Sequence, residues 1–259
     1  MVTRVPSPSE PLAVITGPGT AEADWAAWSP LAALPVLDLS GCRRAVVLAP
    51  HPDDETLGVG GLMAMLLAGG AQVLLVAVTD GEASHPGSPT VQPSDLRTWR
   101  TAETAAALAA LGDGQPGELR EVRLHLSDGG LAACEVAMAE LLNDQLAPGD
   151  WCLAPFHGDG HPDHEAAGRA AARACAGSSA RLLSYPVWAW HWARPGDPRV
   201  PWSRALRLPL PEQARRRKLA AIACFLSQIE PLSPAPQDAA IVGPADLAHF
   251  TRADEVVFA

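Results

Sequence analysis

The chain has 259 residues, of which 48% are hydrophobic, and this is enough to form the core of one large α/β domain. Its net charge of −10 disfavours nucleic acids and anionic membranes as main partners, because both select clustered lysine and arginine. The five cysteines include no CxxC pair, which predicts reduced thiols. No apolar stretch is long enough to span a bilayer, and the N-terminus lacks a signal-peptide pattern. We therefore predict a cytoplasmic protein without membrane insertion.

The chain divides into an N-terminal arm and one domain. Residues 1–40 are rich in Pro, Ala and Trp without a steady period, and we interpret them as an arm with a short helix near 25–34. Residues 41–259 form the domain, in which apolar runs of strand length alternate with helix-like stretches. The strands are predicted at 45–49, 72–78, 120–125, 151–154, 181–187 and 204–208, and the helices at 57–69, 95–111, 130–146, 163–176 and 211–227. The terminal DEVVFA predicts a further edge strand. The alternation predicts a Rossmann-like α/β fold, a mostly parallel sheet flanked by helices.

Two loops in this arrangement are expected to meet. Ligands of such sheets bind outside the carboxyl ends of the strands, where the strand order reverses. With the common order 3-2-1-4-5, this point lies between the first and fourth strands. The loops after these strands, APHPDDE at 49–55 and APFHGDGHPDHE at 154–165, hold the densest clusters of histidine and carboxylate in the chain. Topology and residue chemistry therefore predict one site at this edge.

The residue types of the two loops favour a metal site. Three adjacent carboxylates beside His51, directly after a buried strand, are unfavourable unless a cation offsets their charge. A catalytic zinc site typically has three protein ligands and one open position, and His51, Asp54 and His164 form such a set. Asp53 would then be the general base. Another divalent ion such as Fe²⁺ suits the same ligands.

A nucleotide-binding site and a purely structural salt-bridge cluster are the competing interpretations. Gly58, Gly60 and Gly61, with Asp80 some twenty residues later, imitate a Rossmann fingerprint. However, the third glycine of GxGxxG falls at Met63, and carboxylates occupy the turn where a pyrophosphate would lie. We therefore expect these glycines to allow close packing of a helix on the sheet. A salt-bridge cluster explains poorly why neither loop contains lysine or arginine.

At these residues the sequence resembles the LmbE-like, PIG-L deacetylase family. The matching motifs are AxHPDDE, present as APHPDDE at 49–55, and HPDH at 161–164. Weaker matches extend the resemblance to about residues 44–258: TDGE at 79–82, Arg100 with Glu103, 128–129, 227–228 and the terminal DEVVF. The resemblance implies a zinc-dependent N-deacetylase, which hydrolyses the amide of an N-acetyl or N-acyl amino sugar or glycoconjugate to a free amine and a carboxylate.

The same resemblance implies roles for the residues of both motifs. His51, Asp54 and His164 would be the zinc ligands, and Asp53 would activate the water. His161 would stabilise the oxyanion or protonate the departing amine, and the neighbouring Asp163 would orient it.

Four further residues are predicted to bind the substrate: Arg100, Asp128, Asp159 and Trp190. Arg100 resembles a family arginine that contacts sugar hydroxyls, and Asp128 resembles a residue near the aglycone. The alternatives are a surface pair of Arg100 with Glu103 and a helix N-cap at Asp128, and both stay open.

Asp159 and the tryptophans concern the substrate side of the site. Some family members have a tyrosine where this chain has Asp159, and the only tyrosine of the chain is Tyr185. The role of proton donor therefore stays open. Trp188, Trp190 and Trp192 alternate, so a strand would place them on one face, where they would pack on a sugar or acyl chain or would close the core.

The leading hypothesis is thus an amide hydrolase acting on a small N-acyl sugar or glycoconjugate. The alternatives are a non-catalytic metal- or sugar-binding domain of the same fold and a hydrolase of a non-sugar amide. The sequence leaves the sugar, the acyl group and the formation of a homo-oligomer open.

Overall fold

The computed structural model describes Ile15 and residues 17–259, so residues 1–14 and residue 16 of the predicted arm lie outside the described residues. Seven strands form one sheet in the order β3-β2-β1-β4-β5-β7-β6. The first five strands are parallel, and β7 is antiparallel to both of its neighbours. This confirms the Rossmann-like fold and the reversal of strand order between β1 and β4. The strands are β1 Arg44–Ala49, β2 Gln72–Thr79, β3 Glu118–Leu126, β4 Trp151–Pro155, β5 Arg181–Tyr185, β6 Ala205–Pro209 and β7 Asp254–Phe258.

Helices cover both faces of the sheet because the central strands are apolar on both sides. Val47 and Leu75 belong to one core, whereas Val46 and Val76 belong to a second core on the opposite face. The helices α3, α4 and α8 pack together over the first core, and α5 and α6 pack over the second. The α-helices are α1 Glu22–Ala27, α2 Ser29–Ala32, α3 Asp54–Ala68, α4 Pro93–Gly112, α5 Glu135–Asn143, α6 Pro162–Ser178, α7 Ala189–Trp192, α8 Glu212–Ile222, α9 Leu226–Ile229 and α10 Pro244–Phe250.

Three predictions for the C-terminal half are wrong. The terminal strand is not at the edge: β7 lies between β5 and β6, and Val256 and Val257 are both buried because both of its faces are covered. The strand predicted at 181–187 ends at Tyr185 and is followed by α7. The helix predicted at 211–227 is divided into α8 and α9.

The described part of the arm packs on the domain. Of its two short helices, α1 overlaps the helix predicted near 25–34 but begins earlier, at Glu22, and α2 lies within that region; Trp25 is fully buried. The indole N–H of Trp25 donates to the carbonyl of Trp190 at 3.0 Å. The arm is therefore continuous with the core, and the division at residue 40 stays a prediction. Within the described residues, no helix has both the length and the apolarity that a membrane span requires.

The helix that begins at the predicted site, α3, approaches the sheet closely. A Cβ atom at Gly58 would lie 2.3 Å from the ring of Tyr185, and one at Gly61 would lie 2.5 Å from Leu210. This confirms the packing role expected for Gly58 and Gly61, whereas a Cβ atom at Gly60 would make only an ordinary contact, 3.4 Å from Lys218. The hydroxyl of Tyr185 donates to the carbonyl of Leu48 at 2.8 Å, so this buried tyrosine ties β5 to β1 below the site.

A kink interrupts α3 at Val59, where the backbone is not helical (φ −140°, ψ 20°). A buried ion pair satisfies the backbone groups that the kink releases. Glu255 of β7 accepts the N–H groups of Gly61 and Leu62 at 2.7 and 2.8 Å. Lys218 of α8 donates to the carbonyl of Leu57 at 2.8 Å and to Glu255 at 2.7 Å. The pair thereby fixes the helix that carries the first site loop.

Replacing Lys218 by methionine should lower the free energy of unfolding by about 3–5 kcal/mol. The reason is that the substitution leaves the carboxylate of Glu255 buried without its cation. Urea denaturation measures this loss. The double variant Lys218→Met/Glu255→Gln should lose less than the sum of the two single variants, because neither charge remains. A loss below about 1 kcal/mol for Lys218→Met would show that the pair does not support the kink.

Candidate active site

The two loops predicted to form the site meet at the carboxyl edge of the sheet. Strands β1 and β4 are neighbours, with Val46 opposite Cys152 and Val47 opposite Leu153. The loop after β1 enters α3, and the loop after β4 enters α6, whose first turn contains His164. Because parallel strands end at the same edge, both helices begin at this point of the molecule.

Three side chains from these loops bring their donor atoms close together: His51, Asp54 and His164. Nδ1 of His51 lies 3.3 Å from Nε2 of His164 and 3.2 Å from Oδ2 of Asp54. Nε2 of His164 lies 3.2 Å from Oδ1 of Asp54. Tetrahedral ligands about 2.0–2.1 Å from a zinc ion are roughly 3.3 Å from one another. The spacing of these donors therefore fits three ligands of one small divalent cation.

The charge around these donors favours a cation. Four neighbouring carboxyl groups are almost completely buried, and Arg100 is the one arginine that lines the same cavity among the described residues. Like charges that are buried together are unfavourable unless a cation offsets them. These carboxyl groups belong to Asp53, Glu55, Asp159 and Asp163.

Each of the two histidines has a carboxylate on the nitrogen that faces away from the other donors. Nδ1 of His164 lies 2.8 Å from Asp159. Nε2 of His51 lies 3.2 Å from Oδ1 of Asp128 and 3.3 Å from Oδ2 of Asp163. Such acceptors keep the proton on the nitrogen that they contact and leave the other nitrogen for a metal ion.

The carboxylates also affect the protonation of these rings. Burial lowers the pKa of His164, but Asp54 and Asp159 outweigh this effect and raise it to about 9. Burial likewise lowers the pKa of His51, and Asp128, Asp163 and Asp54 together raise it well above its usual value. The cluster therefore attracts positive charge, which a proton or a metal ion supplies, and metal binding would release the proton.

A second possible metal site is formed by Nε2 of His51 and the carboxylates of Asp128 and Asp163. Both carboxylates already accept backbone hydrogen bonds. Asp128 accepts the N–H of Ala83 at 2.8 Å, and Asp163 accepts two N–H groups at 2.8 and 3.1 Å. We therefore assign these two carboxylates to the orientation of His51.

Asp53 occupies a strained position at the start of α3. Its φ of 117° lies in the left-handed region, which non-glycine residues rarely adopt and which is often found at functional sites. The side chain lines the cavity, and its Oδ2 lies 3.6 Å from the guanidinium of Arg100. Burial raises the pKa of Asp53 to about 7, although Arg100 favours the charged form. A carboxyl group with such a pKa can accept and return a proton near neutral pH.

His161 lines the cavity as predicted, but its orientation depends on the backbone. Its Nδ1 accepts the backbone N–H of Asp163 at 3.2 Å, which places the proton of the neutral ring on Nε2. Burial, and then the neighbouring His51 and His164, lower the pKa of His161 to about 3. Asp163 thus contacts His161 through its backbone, whereas its carboxylate contacts His51 and backbone N–H groups of the loop at 129–131, and its role in orienting His161 stays a prediction.

Arg100 and Asp128 both line the cavity. Arg100 donates to the carbonyl groups of Pro52 and Gly81 at 2.6 and 3.0 Å, while Glu103 accepts instead from Ser227, so the surface pair considered for Arg100 is absent from the described residues. Asp128 does not cap the helical turn at 131–134, because its oxygens face His51 and the N–H of residue 83.

Asp159 does not line the cavity, contrary to the predicted substrate contact. It is fully buried, and its oxygens accept the N–H groups of residues 187–189, each at 2.9 Å, besides contacting His164. All its acceptor positions are therefore used inside the protein. The structure places Asp159 behind His164, where it orients the ring.

The prediction that three tryptophans share a strand face is also wrong, because Ala189–Trp192 forms the helix α7. Successive residues of a helix diverge by about 100°, so alternate residues point in different directions. Trp190 is buried against Trp25, with ring centroids 5.0 Å apart, and does not line the cavity. Trp188 does line it. Of the two roles considered, Trp190 closes the core.

One cavity of about 280 Å³ opens onto the donor cluster: His51 and Asp54 line it, whereas His164 is fully buried behind them. The rest of its wall is largely apolar and includes Leu57, Val187, Trp188, Ile241, Val242 and Phe250. Four polar side chains interrupt this wall: His191, Gln228, Asp246 and His249. Their convergence is not predictable from the sequence, because they lie outside both main motifs, are far apart in the chain and have no diagnostic spacing.

Comparison with known proteins gives the family. Residues 46–175 match the family model described as PIG-L, GlcNAc-PI de-N-acetylase. A 1D-myo-inositol 2-acetamido-2-deoxy-alpha-D-glucopyranoside deacetylase from Streptomyces avermitilis is 31% identical over 204 residues, which cover 69% of this chain and 67% of that protein. A protein of the same name from Kribbella flavida is 32% identical over 54% of this chain and 55% of its own length. The chain thus spans between half and two thirds of these relatives.

Solved structures show the same fold. The antimicrobial reagent A40926 pseudoaglycone deacetylase superposes with a TM-score of 0.60 at 22% identity, covering 83% of this chain and 96% of that chain. The N,N'-diacetylchitobiose deacetylase from Pyrococcus horikoshii has a TM-score of 0.56 at 19% identity, covering 73% of each chain. The matched segment, 46–175, contains the donor cluster but none of the wall formed by residues 187–250.

Proposed function

Because the chain belongs to the PIG-L family of GlcNAc-PI de-N-acetylases, we propose that it is a zinc-dependent hydrolase that removes the acetyl group from an N-acetylated amino sugar or glycoconjugate. The observation that carries this proposal is a three-donor cluster beside a separate carboxylate, Asp53, at one cavity that His51, Asp53 and Asp54 line. A domain that only binds metal needs the ligands, whereas a hydrolase also needs a base.

In this proposal His51, Asp54 and His164 hold the ion. Two imidazoles and one carboxylate suit zinc, and Fe²⁺ is the alternative that the same ligands accept. When bound, zinc polarises the amide carbonyl and lowers the pKa of water to about 7. Asp159, Asp128 and the neighbouring Asp163 would keep the two imidazoles in the orientation that the ion requires.

Asp53 carries the proton transfer in this mechanism. It accepts a proton from water as the water oxygen adds to the carbonyl carbon. It then returns this proton to the nitrogen as the C–N bond breaks, so that the products are a free amine and acetate. Tyr185 is fully buried and its hydroxyl donates to the carbonyl of Leu48, so it does not reach the amine. His161, the other donor considered, has its pKa lowered by burial to about 3 and therefore carries no extra proton near neutral pH, which favours Asp53 for this role.

His161 stabilises the charge that develops on the carbonyl oxygen. With Nδ1 accepting a backbone N–H, the neutral ring presents an N–H at Nε2, and a hydrogen bond from this N–H favours the transition state over the substrate. Arg100 and Asp128 line the same part of the cavity and would bind hydroxyl groups of the sugar.

Metal analysis followed by an amine-release assay tests the proposal. We expect about one zinc ion per chain and release of a primary amine from at least one member of a panel of N-acetyl sugars and glycosides. N-acetylated amino acids serve as non-sugar controls. Hydrolysis of the amino acids alone would show that the substrate class is wrong. No amine from any compound with the metal bound would favour a non-catalytic binding domain.

The cellular location stays a prediction. The five cysteines are all unpaired, which supports the proposal that the protein works in a reducing compartment such as the cytoplasm. A small-molecule substrate is consistent with the size of the cavity.

A further inference from the structure

The wall of the cavity that lies outside the family-matched segment contains two buried histidines, each paired with a carboxylate. Nδ1 of His191 lies 2.7 Å from Oδ1 of Asp246, and Nδ1 of His249 lies 2.7 Å from Oε2 of Glu22. Both histidines are more than nine-tenths buried, and both line the cavity. Their polar contacts among residues 17–259 are with the arm, α10 and the adjoining Arg252, not with the donor cluster.

His191 has a hydrogen-bonding atom that the described protein does not use. Its Nδ1 contacts Asp246, while its buried Nε2 has no partner in Ile15 or residues 17–259. A buried polar atom without a partner costs about 1–3 kcal/mol, so its retention on a cavity wall suggests that a ligand completes its hydrogen bonding.

His249 is held by the arm. Glu22 of α1 contacts both Nδ1 of His249 and the guanidinium of Arg252, whose Nε lies 2.7 Å from Oε1. The guanidinium of Arg252 in turn stacks on the ring of Trp190, 4.1 Å from its centroid. These contacts fix the ring of His249 with Nδ1 occupied.

The arm also fixes the helix that carries His191. The backbone N–H of Thr20 donates to the carbonyl of His191 at 2.8 Å, and the hydroxyl of Thr20 donates to the carbonyl of Ala193 at 2.6 Å. A Cβ atom at Gly19, where φ is 64°, would lie 2.5 Å from Nδ1 of His191, so the arm passes directly against the ring. The two histidines are therefore preorganised in the absence of a ligand.

The chemistry of these rings identifies the group that they bind. With a carboxylate on Nδ1, Nε2 is an acceptor when the ring is neutral and a donor when it is charged. A hydroxyl group complements both forms, since it donates and accepts. A hydrocarbon acyl chain complements neither form of the ring, because it has no hydrogen-bond donor and no acceptor. Hydroxyl-bearing substrates are thus favoured on this wall.

We propose that His191 and His249 form a second subsite, which binds hydroxyl groups of the moiety glycosidically linked to the acetylated amino sugar. The inference rests on the proposed function, since the acetamide must lie at the donor cluster. Arg100 lies 3.6 Å from Asp53 and Asp128 lies 3.2 Å from His51, so both are beside the donor cluster and would contact the acetylated sugar. The two histidines would then bind what is attached to that sugar. They would determine which N-acetyl glycoside the enzyme prefers.

The test compares His191→Phe and His249→Phe with the wild type on three substrates: methyl N-acetylglucosaminide, N-acetylglucosaminyl-inositol and N,N'-diacetylchitobiose. Phenylalanine keeps an aromatic ring at each position but has no ring nitrogen that can form a hydrogen bond. For at least one of the two larger glycosides we expect the KM of each variant to rise by about 3–10-fold, with little change in kcat. On the methyl glycoside and in zinc content, each variant should stay within about twofold of the wild type.

Two further variants separate recognition from structure. His125→Phe removes an exposed histidine that also pairs with an aspartate, 2.8 Å from Asp80, but does not line the cavity, so it should leave all three substrates unaffected. His191→Gln retains an amide that can hydrogen bond, and should recover part of the loss seen with His191→Phe. It also keeps the test usable if the phenylalanine variant fails to fold.

Several outcomes would overturn the inference. An equal loss on all three substrates would assign the histidines to structural support, and no loss on either larger glycoside would show that they bind no hydroxyl group. In both cases wild-type activity leaves the proposed function standing. If the zinc-loaded wild type released amine from no N-acetyl sugar, the proposed function itself would fail, and the subsite with it.

Discussion

Replacing Asp53 by asparagine should lower kcat by about 10²–10⁴-fold while zinc content stays near that of the wild type. The amide cannot accept the proton of the water, but it has nearly the same shape as the carboxylate. Asparagine also tolerates positive φ better than most residues, so the strained backbone at this position (φ 117°) should be retained. Amine release under saturating substrate and elemental analysis of the same sample measure the two quantities.

The matched control is Glu55→Gln, the same chemical change two residues later. Glu55 is fully buried, does not line the cavity, and accepts from the hydroxyl of Thr56 at 2.9 Å and from the N–H of Asp53 at 3.3 Å. A glutamine oxygen can retain one of these contacts, so we expect a loss of activity of no more than several-fold. If Asp53→Asn remained active, or if the two variants lost activity equally, Asp53 would not be the base.

The sequence allowed prediction of the position of the site because hydrophobic periodicity locates strands, and strand order then locates the loops. The clusters after β1 and β4 meet as expected, since the first and fourth strands are neighbours. Both loops are also rich in carboxylates, which need a cation to offset their charge when they lie close together. The predicted fold and the adjacency of the two loops therefore follow from information carried by the local sequence.

The pairing of side chains within the site could not be predicted in the same way. Asp163 is next to His164 and two residues from His161, yet its carboxylate contacts His51, which is distant in sequence. The reason is that α6 begins at Pro162, so His161 precedes the helix while Asp163 lies in its first turn and points elsewhere. Which carboxylate supports which ring depends on the path of the loop, and residue spacing does not define that path.

The cavity wall formed by residues 187–250 is not predictable from the sequence for a different reason. Glu22, His191 and His249 come from the arm and from two short helices, and each has apolar or unremarkable neighbours in sequence. The alternation in PVWAWHW is typical of a strand, but the N–H groups of residues 187–189 donate to the carboxylate of Asp159, and a helical turn follows. A buried carboxylate contributed by a distant loop therefore decides the local structure here.

Loss of His164 should abolish metal binding, and loss of Asp159 should only weaken it. In His164→Ala, one of the three donors is removed, so zinc content should fall to a small fraction and amine release to background. In Asp159→Asn, all ligands remain but the ring is less well oriented, and second contacts of this kind are worth about 10–100-fold in metal affinity. Added zinc should therefore restore Asp159→Asn but not His164→Ala. Competition with a chelating dye gives the affinities, and amine release gives the activities.

The control for both variants is His157→Ala, because His157 belongs to the same loop but is exposed and does not line the cavity. It should bind zinc as tightly as the wild type. Retention of wild-type zinc affinity by His164→Ala would move the ion to the alternative cluster of His51, Asp128 and Asp163. In that case Asp128→Asn would be the variant that loses the metal. If His51, Asp54 and His164 hold the ion, Asp128→Asn should retain it with a modestly reduced affinity, because the Asp128 carboxylate contacts Nε2 of His51 and not the nitrogen that faces the ion.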